Sequence, residues 1–282
     1  MSDRPMIIAA RRTAVAVRGG RLRDVEAFEL AASVLAACVR DAAEALGAAP
    51  TIDDVVLGNC TGPGGNIARV AGLAAGLPVD SAGMTVDRQC GAGLAAVLVA
   101  ADSLRDGGAV LAGGVESAST APTRIARDGR AYDRAPFAPP GLDIGMTEAA
   151  QELARRRGLS RRRQESFAAR SHRLALAAAA DARHEIVAVG GLERDEGPRP
   201  GIERILPRLP ELLEPGDGTA LTAGTTARIA DGAAAVLLLP QSTRRGAPGL
   251  AVRAGATVGV DPRMPGIGPV PAVRRALERA GA

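Results

Sequence analysis

Short apolar runs alternate along the chain with segments whose apolar positions recur at helical spacing. The pattern predicts strands at residues 6–10, 53–58, 83–89 and 109–112, and helices at residues 25–46, 67–76 and 91–105. Strands alternating with helices at this spacing are typical of βαβ units. We therefore expect an α/β protein with a mainly parallel sheet. The helix at 91–105 is apolar on almost every side, which predicts that it is buried at the centre of its domain.

Proline, glycine and charged residues become denser from about residue 119 to residue 245, which indicates an inserted region. Within it, residues 147–157 and 160–181 predict helices, and Ser160 has the character of an N-cap with Gln164 and Glu165 close behind. Residues 233–239 and 250–259 return to strand character and are expected to rejoin the first sheet. Residues 271–280 predict a short last helix.

Composition excludes several classes of chemistry. The formal charge of +4 comes from arginine alone because the chain contains no lysine, so Schiff-base lysines and Walker-type phosphate lysines are excluded. Only 1% of the residues are aromatic, which leaves little surface for stacking bases and argues against nucleic-acid binding. The arginine runs at residues 155–157 and 161–163 are either a solvated helix face or a surface that attracts substrate phosphates.

The cellular setting is expected to be the cytoplasm. The N-terminal residues lead directly into a strand without the features of a signal peptide, and no segment has the roughly 18 uninterrupted apolar residues of a membrane span. Three widely spaced cysteines, Cys38, Cys60 and Cys90, support neither a disulfide framework nor a zinc site. A reducing compartment and a protein without a metal fit these observations.

Cys90 is the candidate nucleophile. It lies where the strand at 83–89 meets the helix at 91–105, so its thiol is expected to face a helix N-terminus. The partial positive charge there stabilises a thiolate, which is the nucleophilic form. Considered alone, the residue fits a small buried apolar side chain better, as most lone cysteines are.

Several sequence blocks in order favour the nucleophile. Residues 87–94 read Asp-Arg-Gln-Cys-Gly-Ala-Gly-Leu and residues 112–117 read Ala-Gly-Gly-Val-Glu-Ser, which resembles the nucleophile region of the thiolases. Further matching blocks lie at residues 58–60 with 66–69, 145–147 with 167–172, 195–200 with 221–224, and 258–262 with 268–271. The resemblance runs along nearly the whole chain.

The resemblance implies a thiolase-like α/β fold, made of one αβα half with an inserted loop domain and only the first helix of a second half. The expected limits are residues 1–118 and 247–265 for the N-terminal half, 119–246 for the loop domain and 266–282 for the start of the second half. Thiolases pair as dimers through the strand that precedes the nucleophile, here residues 84–88. A homodimer is therefore expected.

The resemblance also implies a reaction. In thiolases a cysteine takes an acyl group from one coenzyme A thioester, and a second thioester attacks that acyl-enzyme. Acyl-CoA and acetyl-CoA are then substrates, no resident cofactor is needed, and Cys90 has the nucleophile's role. The products are those of 3-ketoacyl-CoA cleavage or acetoacetyl-CoA synthesis.

Thiolases complete their site with an Asn-Glu-Ala-Phe segment, a Gly-His-Pro segment and a second cysteine in a Cys-x-Gly-Gly turn, and these 282 residues contain none of the three. We therefore expect a partner chain to supply them. The alternatives are a noncatalytic thiolase-like subunit and a truncated, inactive fragment. His172 and His184 lie in the inserted region and are expected to be surface or packing residues.

The positions that the resemblance assigns to the substrate are altered. Asp143 and Ile144 stand where the family has a His-Met pair, and Ala223 and Ala227 belong to the segment expected to face the pantetheine arm. Ala227 replaces a serine, so one hydroxyl contact is lost, at an expected cost of about 0.5 to 1.5 kcal/mol. Arg228 replaces a glycine whose backbone conformation an arginine disfavours.

Overall fold

The computed structural model describes residues 3–104, 108–132, 134–213 and 218–282. In chain order its strands and α-helices are β1 (Pro5–Thr13), β2 (Ala16–Val17), α1 (Ala27–Leu46), β3 (Ile52–Gly58), α2 (Ile67–Ala74), β4 (Ala82–Val86), α3 (Ala92–Ser103), β5 (Ala109–Ser117), β6 (Arg124–Ile125), β7 (Ala131–Tyr132), α4 (Met146–Arg157), α5 (Arg161–Ala177), β8 (Ile186–Val187), β9 (Ala230–Pro240), β10 (Leu250–Ala251) and α6 (Pro269–Ala280). Short 3-10 turns lie at Asp181–His184, Ile202–Arg204, Leu206–Arg208, Gln241–Thr243 and Pro265–Ile267.

The chain divides into two compact units, which we describe separately. Unit 1 comprises Met1–Pro122, Ala179–Gly197 and Ile229–Arg253, and unit 2 comprises Thr123–Ala178, Pro198–Arg228 and Ala254–Ala282. The structure thus places residues 179–197 and 229–246 with the first sheet, although we assigned them to the inserted region. The reason is strand pairing, since β8 and β9 both hydrogen-bond to β1.

Unit 1 is built on one sheet with the strand order β10-β1-β9-β5-β3-β4, to which β2 and β8 add short pairings. Strands β3, β4 and β5 are parallel neighbours, and α2 and α3 form the connections between them, as the βαβ pattern predicts. The predicted parallel arrangement holds for β1, β3, β4 and β5, which share one direction, whereas β9 returns from the inserted region between β1 and β5 and runs antiparallel to both. The sheet is therefore mixed.

The core of unit 1 is divided by the sheet. On one face α1 and α2 pack against the strands, and large aliphatic side chains are buried there, including Leu30 and Leu35 of α1 and Leu57 of β3. On the other face α3 contributes small residues, with Ala96 and Ala100 packed against Val56, Val110, Ala112 and Leu238. The layer of side chains between helix and sheet is therefore thinner on the α3 face, and α3 lies close to the strands.

Helix α3 differs from its prediction. Its buried residues are alanines that recur along one side, Ala92, Ala95, Ala96 and Ala100. On the opposite side Leu94 is 76% exposed. The helix is therefore covered by the sheet on one side and open on the other, because its apolar side chains outnumber those that a single sheet face can cover.

Caps explain where several helices begin and end. At the start of α1 the Glu26 amide donates to the Glu29 carboxylate at 2.9 Å, and Gly47 ends the helix with a φ of 73°. In unit 2 the Ser160 hydroxyl accepts a hydrogen bond from the Arg163 amide at 3.3 Å, which confirms Ser160 as the N-cap of α5.

Unit 2 carries α4, α5 and α6, together with the small β6–β7 hairpin. The side chain of Gln151 on α4 links to a neighbouring segment, since its amide donates to the Thr219 hydroxyl and its carbonyl accepts from the Leu221 amide. The strand expected at 250–259 is observed only at Leu250–Ala251, where the chain pairs with β1 before it leaves the sheet. Among the described residues, none of the helices has both the length and the apolar character needed to cross a membrane.

The first turn of α3 meets the ends of β3 and β5 at glycines. A Cβ atom added to Gly58 would lie 2.5 Å from the carbonyl carbon of Ala92 and 2.7 Å from the amide nitrogen of Gly93. A Cβ atom on Gly114 would lie 3.3 Å from the Cα atom of Gly93. The helix start therefore approaches the strand backbones at a distance that any side chain on Gly58 would prevent.

We expect Gly58→Ala to lower the free energy of unfolding by about 2 to 3 kcal/mol, because the new methyl group overlaps backbone atoms that cannot move independently. The matched control is Gly72→Ala in α2, where the added Cβ meets only side-chain atoms, at 3.4 Å and beyond. Urea unfolding of both variants measures the difference. A Gly58→Ala protein as stable as the Gly72→Ala protein would contradict the close approach.

Candidate functional site

Cys90 lies in the bend that joins β4 to α3, at the carboxyl end of the parallel strands. Its side chain is exposed, Gly91 is the N-cap of α3, and the helix proper begins at Ala92. This is the strand-to-helix junction that the sequence predicts. The first amide groups of a helix have no acceptor within the helix and carry partial positive charge.

The bend depends on an unusual backbone conformation at Gln89, whose φ is 49°. Three hydrogen bonds hold it. The Gln89 amide donates to the Asp87 carboxylate at 2.8 Å, and the Gln89 carbonyl oxygen accepts from the Ala92 amide at 2.9 Å and from the Cys60 thiol at 3.3 Å. A left-handed conformation is unfavourable for a residue with a side chain and persists where its surroundings fix it.

The loop after β3 is organised by the carboxylate of Glu116. One oxygen, Oε1, accepts the Cys60 amide at 2.6 Å, and the other, Oε2, accepts the Thr61 amide at 3.0 Å and the Thr61 hydroxyl. Asn59 is buried, and its side-chain amide donates to the Val115 carbonyl oxygen at 2.9 Å. The ends of β3 and β5 are thus tied together, and Cys60 is held over the bend.

The two cysteines near the bend differ in chemistry. Burial raises the pKa of the Cys60 thiol to about 12, with further contributions from the carboxylates of Asp87 and Glu116. Cys60 therefore stays a neutral thiol at ordinary pH and acts as a hydrogen-bond donor. Cys90 is exposed and lies beside the helix start. Of the two, Cys90 is placed to act as a nucleophile.

A concavity of about 510 Å³ in unit 1 contains both cysteines. Its lining includes Thr13, Glu116 and Asp231, with small residues of β5, α3 and β9 completing the wall. Asp231 is fully buried, and its carboxylate accepts hydrogen bonds from the amide and the hydroxyl of Ser119. It therefore fixes the segment that follows β5 instead of presenting free charge to the concavity.

Sequence reasoning did not assign roles to Asn59, Glu116 or Asp231. Asn59 and Glu116 stand in blocks that carried the resemblance, at 58–60 and 112–117, so the signal for these two was present. Their function becomes apparent only when strand register brings the ends of β3, β5 and β9 together.

The other predicted site residues lie in unit 2. The Asp143 carboxylate accepts two hydrogen bonds from Arg134, at 2.7 and 2.9 Å, and this interaction lowers the pKa of Asp143. Ile144 is half-buried, while Ala223 and Ala227 are exposed. Asp143 is thus engaged in an ion pair within its own unit, and the substrate-binding roles of all four residues stay predictions.

The two histidines and the arginine runs have local roles. The Nδ1 atom of His172 accepts the Arg199 amide at 3.1 Å, and His184 is exposed. On α4, Arg155 and Arg156 both pair with the carboxylate of Glu152. Across the residues that the structure describes, no group of three or more His, Cys, Asp or Glu side chains is arranged to hold a metal ion.

Comparison with known proteins identifies related sequences and structures. The family described as "Thiolase, N-terminal domain" matches residues 5–242. The VraB protein of Staphylococcus epidermidis is 38% identical over 293 residues, which cover 97% of this chain and 75% of that protein. The acetyl-CoA acetyltransferase of Pseudomonas aeruginosa is 37% identical, covering 98% of this chain and 77% of that protein.

A solved structure gives the same picture. The crystal structure of the Bacillus anthracis acetyl-CoA acetyltransferase matches with a TM-score of 0.88 and 32% identity, and the match covers 99% of this chain and 77% of that one. This likeness confirms the fold class that the sequence predicts.

The three cysteines are expected to react with iodoacetamide at very different rates at pH 8. With a pKa of about 12, Cys38 and Cys60 hold roughly a thousandfold less thiolate than an ordinary thiol, whereas Cys90 is exposed at a helix start. Peptide mass spectrometry after timed labelling should find the label on Cys90 first. In denaturant all three cysteines should react alike, and equal labelling of Cys60 and Cys90 in the folded protein would contradict the assignment.

Proposed function

The chain belongs to the thiolase family, and on that premise we propose that Cys90 takes an acyl group from an acyl-CoA and passes it to or from a second CoA thioester. Family membership makes the protein an acyltransferase of the thiolase type. The observation that supports acyl transfer by Cys90 is the position of this residue. Cys90 belongs to the segment that resembles the family's nucleophile region, its thiol is exposed just before α3, and it lines a concavity.

The proposed first step is attack by the Cys90 thiolate on the thioester carbonyl carbon. A bond forms between Sγ and that carbon, the bond to the sulfur of coenzyme A breaks, and coenzyme A leaves as a thiolate that takes up a proton. Amide groups at the start of α3 are suited to stabilise the negative charge that develops on oxygen or sulfur. The acyl-cysteine is common to 3-ketoacyl-CoA cleavage and acetoacetyl-CoA synthesis.

The second step requires a base to remove a proton from the second thioester. In the resemblance the second cysteine, in a Cys-x-Gly-Gly turn, acts as acid and base, and the histidine of a Gly-His-Pro segment activates the nucleophile. These 282 residues contain neither segment. The relatives are longer, since this chain covers 75% and 77% of the two named above. We propose that a further polypeptide segment, continuous or separate, supplies these groups.

Substrate contacts and assembly complete the proposal. Coenzyme A thioesters are substrates in it and not resident cofactors, and Asp143, Ile144, Ala223 and Ala227 line the path of the pantetheine arm. Strand β4 is the last strand of the sheet order and pairs with β3 on one side. An exposed strand edge of this kind favours pairing with a second copy, which supports a homodimer.

Acetyl-CoA is expected to acetylate Cys90. Intact-protein and peptide mass spectrometry of the 282-residue chain should find one acetyl group on the peptide that contains Cys90, formed faster when a polypeptide carrying the histidine and second-cysteine segments is added. The physical reason is that a positioned thiol can attack the thioester by itself, and the histidine of the added polypeptide speeds that attack by activating the thiol.

Cys90→Ala should show no adduct, and Cys38→Ala should keep it because Cys38 is buried in the core. If wild-type protein shows no adduct in either condition, the acyltransferase proposal is wrong and a noncatalytic subunit remains.

A further inference from the structure

The backbone at Gln89 sets the direction of the nucleophile. With a φ of 49° this residue turns the chain from β4 into α3, and the next residue is Cys90. A residue with a side chain seldom adopts this conformation, because Cβ then crowds the carbonyl oxygen. Without restraint the bend would relax, and the thiol of Cys90 would leave its position beside the helix start.

Three groups hydrogen-bond to the backbone of Gln89 and restrain the bend. The Asp87 carboxylate holds the Gln89 amide, and the Ala92 amide in the first turn of α3 holds the Gln89 carbonyl oxygen. Both groups belong to the same continuous segment and move with it. The third group, the thiol of Cys60, comes from the loop after β3 and donates to the same carbonyl oxygen at 3.3 Å. It is the restraint that anchors the bend to another strand.

Cys60 is itself held in place. Its amide donates to Glu116 at 2.6 Å, and Glu116 on β5 also binds the neighbouring Thr61 amide at 3.0 Å. The side chain of Asn59, one residue earlier, bonds to the Val115 carbonyl oxygen at 2.9 Å. The end of β5 therefore fixes the Cys60 loop, and the Cys60 loop in turn fixes the Gln89 carbonyl group, which is adjacent to Cys90.

We propose that Cys60 is a positioning residue, whose thiol hydrogen bond to the Gln89 carbonyl oxygen fixes the bend that directs Cys90 into the concavity. The proposal goes beyond the proposed function, because it assigns a role to a second thiol, and it rests on that function for the role of Cys90. Cys60 forms no bond with substrate in this proposal. It acts through Gln89.

The charge state of Cys60 suits this role. A thiolate has no proton to donate, so the hydrogen bond to a carbonyl oxygen exists only while Cys60 is protonated. Burial and the nearby carboxylates of Asp87 and Glu116 raise the pKa of Cys60 to about 12. The donor therefore persists across the pH range in which Cys90 is expected to react.

The chain offers a matched control for the loss of such a bond. The Cys38 thiol on α1 donates to the Ala235 carbonyl oxygen at the same distance, 3.3 Å, and burial likewise raises its pKa to about 12. Its acceptor belongs to β9 in the core. Cys38→Ala thus removes the same kind of hydrogen bond without removing a contact to the bend at Gln89.

The experiment measures the second-order rate of iodoacetamide labelling at Cys90 from pH 6 to pH 10, by quantitative peptide mass spectrometry on the 282-residue chain. Cys60→Ala is expected to lower this rate roughly tenfold, because loosening a positioned reactive group by even about 1 Å has effects of this size or larger. Cys60→Ser retains a donor in the same place and should restore the rate to within about threefold of wild type. Cys38→Ala should leave the rate unchanged.

A second comparison separates positioning from general loosening. Glycine adopts the left-handed conformation without strain, so in a Gln89→Gly background the bend depends less on its restraints. If Cys60 acts through residue 89, the effect of Cys60→Ala should shrink in that background, which is the non-additivity expected of coupled residues. Urea unfolding of each variant confirms that the labelled protein is folded.

Three results would overturn the proposal: a Cys60→Ala protein that labels at the wild-type rate throughout the pH range, a Cys60→Ser protein as slow as Cys60→Ala, or an equal loss in Cys38→Ala. Failure of the proposed function has a different signature. In that case acetyl-CoA would leave no adduct on Cys90. Iodoacetamide needs no coenzyme A site, so wild-type Cys90 would still be labelled and the labelling rates of the variants would keep the same order.

Discussion

The structure of unit 1 depends on the direct contact between the backbone at the start of α3 and the backbones at the ends of β3 and β5. Glycines at 58 and 114 remove the side chains that would hold these elements apart, and small alanines continue the contact along the helix. Because no flexible side chain intervenes, the helix start has little freedom to shift. The exposed thiol just before that helix is held with the same precision.

The polar groups near the bend complement this contact. Glu116 and Asn59 join two strand ends, and Asp231 fixes the segment after β5 through Ser119. Each is wholly or partly buried, and each is satisfied by hydrogen bonds to backbone amides, carbonyl groups or hydroxyls, which offsets the cost of removing it from water. The concavity is therefore lined by groups that are already engaged, with Cys90 as the exposed thiol at its edge.

The sequence predicted the elements of unit 1 well because its apolar periods are regular, and it placed Cys90 at the strand-to-helix junction. It did not predict that β9 lies between β1 and β5, since the partner of a strand that returns after more than a hundred residues is not encoded in local periodicity. The presence of residues 179–197 and 229–246 in unit 1 follows from the same kind of pairing, since β8 and β9 hydrogen-bond to β1. Glu116 and Cys60 acquire their roles from strand register and from the left-handed conformation of Gln89, neither of which a linear pattern contains.

The outward side of α3 has a consequence for how the reaction could be controlled. Leu94 is 76% exposed and follows Cys90 by about one helical turn, and beside it an apolar hollow of about 310 Å³ is lined by Val97, Ala112 and Val236. Burial of one such leucine is worth about 2 kcal/mol, so any polypeptide that seats there gains stability from the same helix that carries the reactive sulfur. Docking and the exclusion of water from a thioester on Cys90 would then be a single event, and hydrolysis of that thioester would be suppressed only once the complex had assembled.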